Sequence, residues 1–384
     1  MSDSYAKPNE ANTLRLIKPA NKSLTYMGRV DWKADQCPLW VFPYTQVRFR
    51  FTGKYLGVRL INARQYGTSC LGAFIDGFEY RIDLVHCPSQ RNVPVADQDF
   101  VWSDSAVSPY SVEVTIADNL PDIEHEAVIF KRQDGQHYLK LTGIMLEQSA
   151  KLYPDKEQPS KRRMEVFGDS IACGERNEAS LYAGREDPSA DLSSYSNAWY
   201  SFAAIAARSL GAQLHDVSQG GAALLDGIGW FQAPQSIGME SIWNKIEYNS
   251  FIGPCKPWDF SQYQPQVVIV ALGQNDAHPR DFMAQDYSGS QAEHWRRSYA
   301  KFLRTLMEIY PRAQIITATS VLAHNEHWDR AIEETCRELG RSCIHHLVYR
   351  RNGIATSGHP RISEQQEMAD ELVAFIQDLG SRIW

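Results

Sequence analysis

The run Met164-Glu165-Val166-Phe167-Gly168-Asp169-Ser170 constrains this chain more than any other, because a short apolar strand empties into Gly-Asp-Ser and then into the small residues Ile171-Ala172-Cys173-Gly174. In a parallel α/β sheet, ligands and chemistry collect at the carboxyl ends of strands, where the chain turns sharply before its next helix. Ser170 is thereby expected to face a cleft. A serine hydroxyl is a poor nucleophile until a base takes its proton, so the motif requires a histidine to serve it. The candidate is His359, in Thr356-Ser357-Gly358-His359-Pro360 just ahead of a helical pattern over 363–379.

Between serine and histidine lies a second strand end, the apolar run 267–272 followed by Gly273-Gln274-Asn275-Asp276. The Asn275 amide can donate to an oxyanion there. Earlier, Val217-Ser218-Gln219-Gly220-Gly221 supplies a glycine turn, and the Gly221 backbone N–H can point the same way because glycine permits the close approach such donors need. The Ser170 N–H completes the expected oxyanion set. Asp169 and Asp276 adjoin these residues, but acids at strand ends commonly cap helices or fix turns, and that structural role is the expectation for both.

Taken together, Gly168-Asp169-Ser170, Gly221, Gly273-Gln274-Asn275-Asp276 and His359-Pro360 resemble, in order and spacing, the four blocks of the SGNH (GDSL-type) hydrolase superfamily. The resemblance covers roughly residues 160–384 and implies a serine hydrolase on a three-layer α/β/α sandwich. It departs from the family pattern at one place. Relatives usually carry aspartate two or three residues before the histidine, where this chain has Ser357 and Thr356. Either a Ser170–His359 dyad works alone, or an acid arrives from elsewhere in the fold. The expectation is the dyad, with a backbone carbonyl or neutral side chain orienting the ring.

The first 150 residues read differently. The segments 47–51 and 56–60 alternate at period two around Gly53-Lys54, and 73–75 runs through Asp76-Gly77 into 78–82. Further alternation over 111–116, then 127–130 and 138–141 on either side of Asp134-Gly135, extends the hairpin pattern. Many short strands without a helical pattern predict a β-sandwich of jelly-roll type over residues 1–150. A polar linker over 151–163 then leads to the catalytic domain over 164–384, where helices are predicted over 197–210, 293–309 and 330–339 and a strand over 313–318. At 384 residues the chain can bury two cores.

This domain order, with Gly-Asp-Ser-Ile followed by Cys173-Gly174 and Asn177-Glu178-Ala179, resembles carbohydrate esterase family two. That resemblance implies removal of acetyl groups from plant polysaccharides or their oligosaccharides through a serine acyl-enzyme. Two other readings stay open: a lipase or thioesterase for longer acyl chains, and a catalytically degenerate carbohydrate-binding protein. The segment 230–258 carries Glu240, Asn244, Lys245 and Glu247, which is too polar for a convincing acyl lid.

Aromatic faces pack against the apolar faces of pyranose rings, and Trp230 and Trp328 are the candidate sugar-contacting residues among several tryptophans in the catalytic half. His278, three residues from Asn275, is the rival base, but it is too near that amide to reach Ser170 while both face the oxyanion. The seven cysteines form no CxxC pair and no Cys/His metal spacing, so free thiols are expected, with Cys173 a small buried side chain rather than a rival nucleophile. No metal or other cofactor is inferred. A net charge of −7 gives no footprint for nucleic acid or an anionic membrane surface, and no apolar run reaches a transmembrane length. The expected partner is an acetylated carbohydrate; a homo-oligomer stays open. Met1 to Pro8 lack the apolar stretch of a signal peptide, so the chain as written reads as cytoplasmic, or as secreted or periplasmic if a leader was removed.

Overall fold

A computed structural model describes residues 13–84, 93–94, 107–380 and 383–384; Cys87 and the segment 1–8 lie outside the described residues. Two antiparallel sheets occupy the N-terminal part. One is seven-stranded and centres on His137–Glu147, Leu56–Arg64 and Val107–Ala117; the other is six-stranded and centres on Gln46–Thr52, Glu124–Lys131 and Cys70–Ile75. The alternation seen in the sequence sends Val47, Phe49 and Phe51 from one sheet and Leu56, Val58 and Leu60 from the other into one shared core.

Two expected hairpins turn out to be crossings between these sheets. Gln46–Thr52 and Leu56–Arg64 belong to different sheets, as do Glu124–Lys131 and His137–Glu147. A period of two fixes which face of a strand is buried, but not which strand it pairs with. The Asp76-Gly77 turn does close a hairpin, Cys70–Ile75 against Phe78–Asp83, with both turn residues at positive φ (50° and 85°). Within the expected linker, Leu152–Tyr153 pairs with Gln46–Thr52 and so adds a last strand to the sandwich.

From Arg163 onward a five-stranded parallel sheet forms in the order Gln213–Ser218, Arg163–Gly168, Val267–Ala271, Gln314–Ala318, Ile344–His346. Helices Phe202–Ser209 and Ile362–Asp378 cover one face, burying Val166, Leu214 and Ile269. Helices Ser290–Ile309 and Glu326–Leu339 cover the other, over Phe167, Val217, Val268 and Val270. Alternate residues of each strand thus enter opposite cores, which is why these strands read as continuous apolar runs. The helix expected over 197–210 is interrupted. Ala198–Tyr200 is a 3-10 turn, and the Ser201 hydroxyl then caps Phe202–Ser209 by accepting the Ala204 N–H.

The sandwich and the parallel sheet are packed together. Leu39, Val41, Phe42 and Tyr138 of the sandwich share one apolar core with residues of the α/β part. Arg29 is buried in this interface, donating to Glu165 Oε1 (3.0 and 3.2 Å) and to the carbonyl oxygens of Trp243 (2.7 Å) and Lys245 (3.0 Å). A buried guanidinium is tolerable only when paired and hydrogen-bonded, as here, and removing one partner of such a pair costs about 3–5 kcal/mol.

Candidate active site

Three strands of the parallel sheet deliver the site. Strand Arg163–Gly168 ends two residues before Ser170, and Gly168 leaves room for the turn: a Cβ there would lie 2.6 Å from the Ala172 methyl group and 3.0 Å from Ser218 Oγ. The Ile171 N–H donates to Asp169 Oδ1 (3.0 Å) and the Glu175 N–H donates to the Ser170 carbonyl (2.9 Å), fixing the backbone around Ser170. On one side, strand Gln213–Ser218 leads to Gly221, held at φ +77° with its carbonyl accepting from Trp230 N–H (2.8 Å) and Phe231 N–H (3.1 Å). On the other, strand Val267–Ala271 leads to Asn275. His359 comes from the loop before helix Ile362–Asp378. Ser170, Gly221, Asn275 and His359 line a single cavity of about 440 Å³.

A carboxylate supports the histidine, contrary to the expected dyad. Asp187 Oδ2 accepts the His359 Nδ1–H at 2.5 Å and the His359 backbone N–H at 3.3 Å. Its Oδ1 accepts from the Arg361 guanidinium, and Arg176 Nη1 lies 3.3 Å from Oδ2. Burial opposes ionisation of Asp187, but the hydrogen bonds from His359 and Arg361 and their charges outweigh it and hold the carboxyl well below the usual carboxylate range. An ionised acceptor at Nδ1 places the ring proton there and leaves Nε2 free to take the serine proton. Among the described residues no hydrogen bond joins Ser170 Oγ to His359 in the free protein, an arrangement that catalytic pairs often tighten only with substrate bound.

The acid escaped the sequence because it lies far from the histidine in the chain, in a polar loop with no local pattern. A signal was nevertheless present. Arg361 stands two residues beyond His359, is 2% exposed, and reaches back to the carbonyls of Arg176 (2.9 Å) and Tyr182 (3.3 Å) as well as to Asp187. Such a cation demands an anion close by. Gly358 is the second signal: a Cβ there would strike the Arg185 carbonyl, so only glycine lets the Arg185 to Asp187 segment approach the histidine loop.

The neighbouring acids hold the Asn275 side of the cavity in place. Asp169 Oδ2 accepts from Gln274 Nε2 (2.9 Å) and from Asn275 Nδ2 (3.3 Å), while the same amide donates to the Ala222 carbonyl (3.1 Å). Burial pushes the Asp169 carboxyl up to about 6, against the hydrogen bonds from Ile171 and Gln274. Asp276 accepts from the Leu224 N–H (2.9 Å) and the Trp295 indole (2.6 Å), which ties the Gly221 and Asn275 segments together. Burial likewise pushes its carboxyl up to about 6.

The two tryptophan candidates separate. Trp230 is 60% exposed, lines the cavity and stacks on the His278 ring with centroids 3.3 Å apart. Trp328 is fully buried between Phe282 and Trp295, with its indole donating to Asp281 Oδ1 (3.2 Å). It occupies the inward face of helix Glu326–Leu339 and cannot meet a substrate, which corrects the expectation for that residue. Cys173 is buried and burial pushes its thiol well above the usual range, so it is no nucleophile.

Comparison with known proteins places this architecture. A family model described as the carbohydrate esterase 2 N-terminal domain matches residues 26–100. The cellulase/esterase CelE of Acetivibrio thermocellus is 23% identical over 376 residues, covering 93% of this chain but 40% of that protein, so the chain spans well under half of that relative. An acetylxylan esterase/glucomannan deacetylase of Cellvibrio japonicus is 25% identical over 266 residues, 67% of each. The solved structure of a family two carbohydrate esterase from Clostridium thermocellum in complex with cellohexaose superposes with a TM-score of 0.72 at 22% identity, covering 94% of this chain and 99% of that one. By its N-terminal family model and by its fold, the chain resembles carbohydrate esterase family two.

Proposed function

We propose that this protein is a carbohydrate O-acetyl esterase working through a serine acyl-enzyme. One observation carries the reading: Ser170, His359 and the two expected oxyanion donors Gly221 and Asn275 line one cavity, with Asp187 on the far nitrogen of the base. His359 Nε2 takes the proton of Ser170 Oγ as that oxygen bonds to the acetyl carbonyl carbon, and the carbonyl electron pair moves onto its oxygen. The N–H groups of Ser170 and Gly221 and the Asn275 amide meet the oxyanion, in a site where fixed donors act more strongly than water. When the intermediate collapses, the bond to the sugar oxygen breaks and His359 gives that oxygen its proton. Water then repeats the sequence on the acetyl-enzyme and releases acetate.

The relatives named as an acetylxylan esterase and a cellulase/esterase support an acetylated glycan as substrate, and the exposed Trp230 face beside the nucleophile suits a pyranose ring. A degenerate binding protein would not need a base, an acid and an oxyanion pair in register. The test is turnover of acetylated xylo- or gluco-oligosaccharides and of acetyl against octanoyl aryl esters, with Ser170→Ala and His359→Ala alongside. Acetyl preference with both variants inactive is expected. Preference for octanoyl esters would move the protein to the lipases, and near-normal turnover by either variant would remove the serine mechanism.

A further inference from the structure

The sandwich reaches into the catalytic site through one corner. The chain leaving strand Glu124–Lys131 of one sheet for strand His137–Glu147 of the other turns at 132–136, and that turn inserts between elements of the α/β domain. Arg132 donates to the Ser196 carbonyl (3.1 Å), the Ala198 N–H donates to the Arg132 carbonyl (2.9 Å), and Gln133 Nε2 donates to the Ser193 carbonyl (3.0 Å). At the tip stands Asp134, 5% exposed. Its Oδ1 accepts the Gln136 N–H (3.0 Å) and closes its own turn. Its Oδ2 accepts the Gly220 N–H (3.0 Å) and the Gln219 side-chain amide (2.6 Å).

Those last two bonds decide where the Gly221 N–H points. Gln219 Nε2 also donates to the Gly220 carbonyl (2.9 Å), and Gln219 Oε1 accepts the Tyr248 hydroxyl (2.6 Å). The Gly220 residue is therefore gripped at both ends, its N–H by Asp134 directly and its C=O by an amide that Asp134 and Tyr248 hold in place. The Gly220 C=O and the Gly221 N–H belong to one planar trans peptide, in which the two groups point in opposite directions. A carbonyl turned toward the buried Gln219 amide turns the Gly221 N–H the other way, toward the cavity that Gly221 lines. Position 220 is sterically committed to this clamp: a Cβ there would lie 2.7 Å from Asp134 Oδ2 and 2.6 Å from Glu175 Oε2.

We propose that Asp134, a residue of the N-terminal sandwich, is the positioning residue of the oxyanion site, so that the sandwich completes catalysis rather than serving only as an appended module. The inference rests on the serine-esterase reading of the Ser170 site. Asp134 touches no reacting atom; it acts through Gln219 and Gly220 on the Gly221 N–H. The same buried carboxylate serving only to stabilise its own turn would affect folding and leave the chemical step of the folded enzyme alone.

The test is Asp134→Asn in the full chain. An amide presents one acceptor oxygen where the carboxylate presents two, so it cannot keep the Gln136 turn and the Gly220 clamp together. The expected result is a kcat for acetyl-ester hydrolysis lowered about 10- to 100-fold, somewhat less than outright loss of an oxyanion donor, with KM within about twofold of wild type. A folded Asp134→Asn enzyme with kcat within twofold of wild type, or one whose loss appears only in KM, overturns the inference. If that variant does not fold, Tyr248→Phe decides, because it releases Gln219 from the opposite side and should lower kcat several-fold at unchanged KM; unchanged kcat there overturns the inference too. Ser170→Ala, measured in the same series, separates the two levels. Activity surviving in Ser170→Ala refutes the esterase reading and this inference with it, whereas an inactive Ser170→Ala beside a fully active Asp134→Asn refutes this inference alone.

Discussion

Replacing Asp187 with asparagine isolates what the carboxylate does for His359. As Ser170 attacks the acetyl carbonyl and gives up its proton, the ring becomes an imidazolium whose Nδ1–H faces Asp187 Oδ2 at 2.5 Å. Two unit charges about 4 Å apart at an effective dielectric near 20 interact by about 4 kcal/mol. The second contribution is the tautomer. Arg361 donates to Oδ1 and will claim the single oxygen of an asparagine, turning the amide NH2 toward His359 Nδ1. The ring then carries its proton on Nε2 and has no lone pair for Ser170, an error worth about 10⁴-fold where it has been isolated in a serine protease. That factor was measured for the same Asp→Asn change and so already contains the lost charge, which predicts a kcat about 10⁴-fold below wild type, roughly 5.5 kcal/mol of barrier, with KM little changed. Continuous acetate release from an acetyl ester, with near-UV circular dichroism to confirm the fold, measures it. An Asp187→Asn enzyme keeping more than a tenth of wild-type kcat would refute the reasoning and return the site to a dyad.

Asn275→Ala should lower kcat by about 2.7–4 kcal/mol of barrier at near-constant KM, the scale of one lost oxyanion donor; a loss confined to KM would make Asn275 a substrate-positioning residue. Trp230→Ala should raise KM for acetylated oligosaccharides several-fold, about 1 kcal/mol, while leaving a small aryl acetate unaffected, and equal losses on both substrates would refute a sugar-stacking role. For pH, protonating Asp169, whose carboxyl burial pushes up to about 6, must cost an acceptor to Ile171, Gln274 or Asn275, so kcat should fall on acidification through about pH 6 in wild type, and that component should be missing in Asp169→Asn. The sign differs for stability: a folded-state value above the unfolded carboxyl range of about 4 means that this group binds its extra proton between roughly pH 4 and 6 and lowers stability above that window, so activity should fall on acidification without a matching loss of stability from Asp169. An acid limb of the same shape in wild type and Asp169→Asn would refute the coupling.

Much of the fold was legible because its strands carry their own pattern. Val47, Phe49 and Phe51 alternate into the sandwich core, and the run at 267–271 is apolar on both faces because both faces are covered. What alternation could not carry was partnership. The turns at Gly53-Lys54 and Asp134-Gly135 look like hairpin turns in the sequence, yet each passes the chain from one sheet to the other. The second of them matters for the site, since a hairpin would have kept Asp134 within one sheet and away from Gly220. Trp328 was misplaced for a related reason: it follows a strand and a loop, but it lies on the buried side of a helix that begins two residues earlier, at Glu326.

The acid illustrates what a motif encodes and what it does not. A triad sets a carboxylate at Nδ1 of the base, and nothing in that geometry fixes where in the chain the carboxylate originates. In this protein the segment just before the histidine is committed elsewhere. Thr356 is 4% exposed, its carbonyl accepts the Ala323 N–H at 2.7 Å, and its hydroxyl accepts the Gly358 N–H at 3.3 Å, while Ser357 lines the cavity. At 187 the carboxylate meets Arg361 and Arg176 as well as His359, so its burial is compensated and its charge is kept at the pH where the base must work. The buried Arg361 is thus the residue that makes a distant acid tenable. It ties the loop after the nucleophile to the loop before the last helix, and it brings Asp187 to the histidine that the sequence left without a partner.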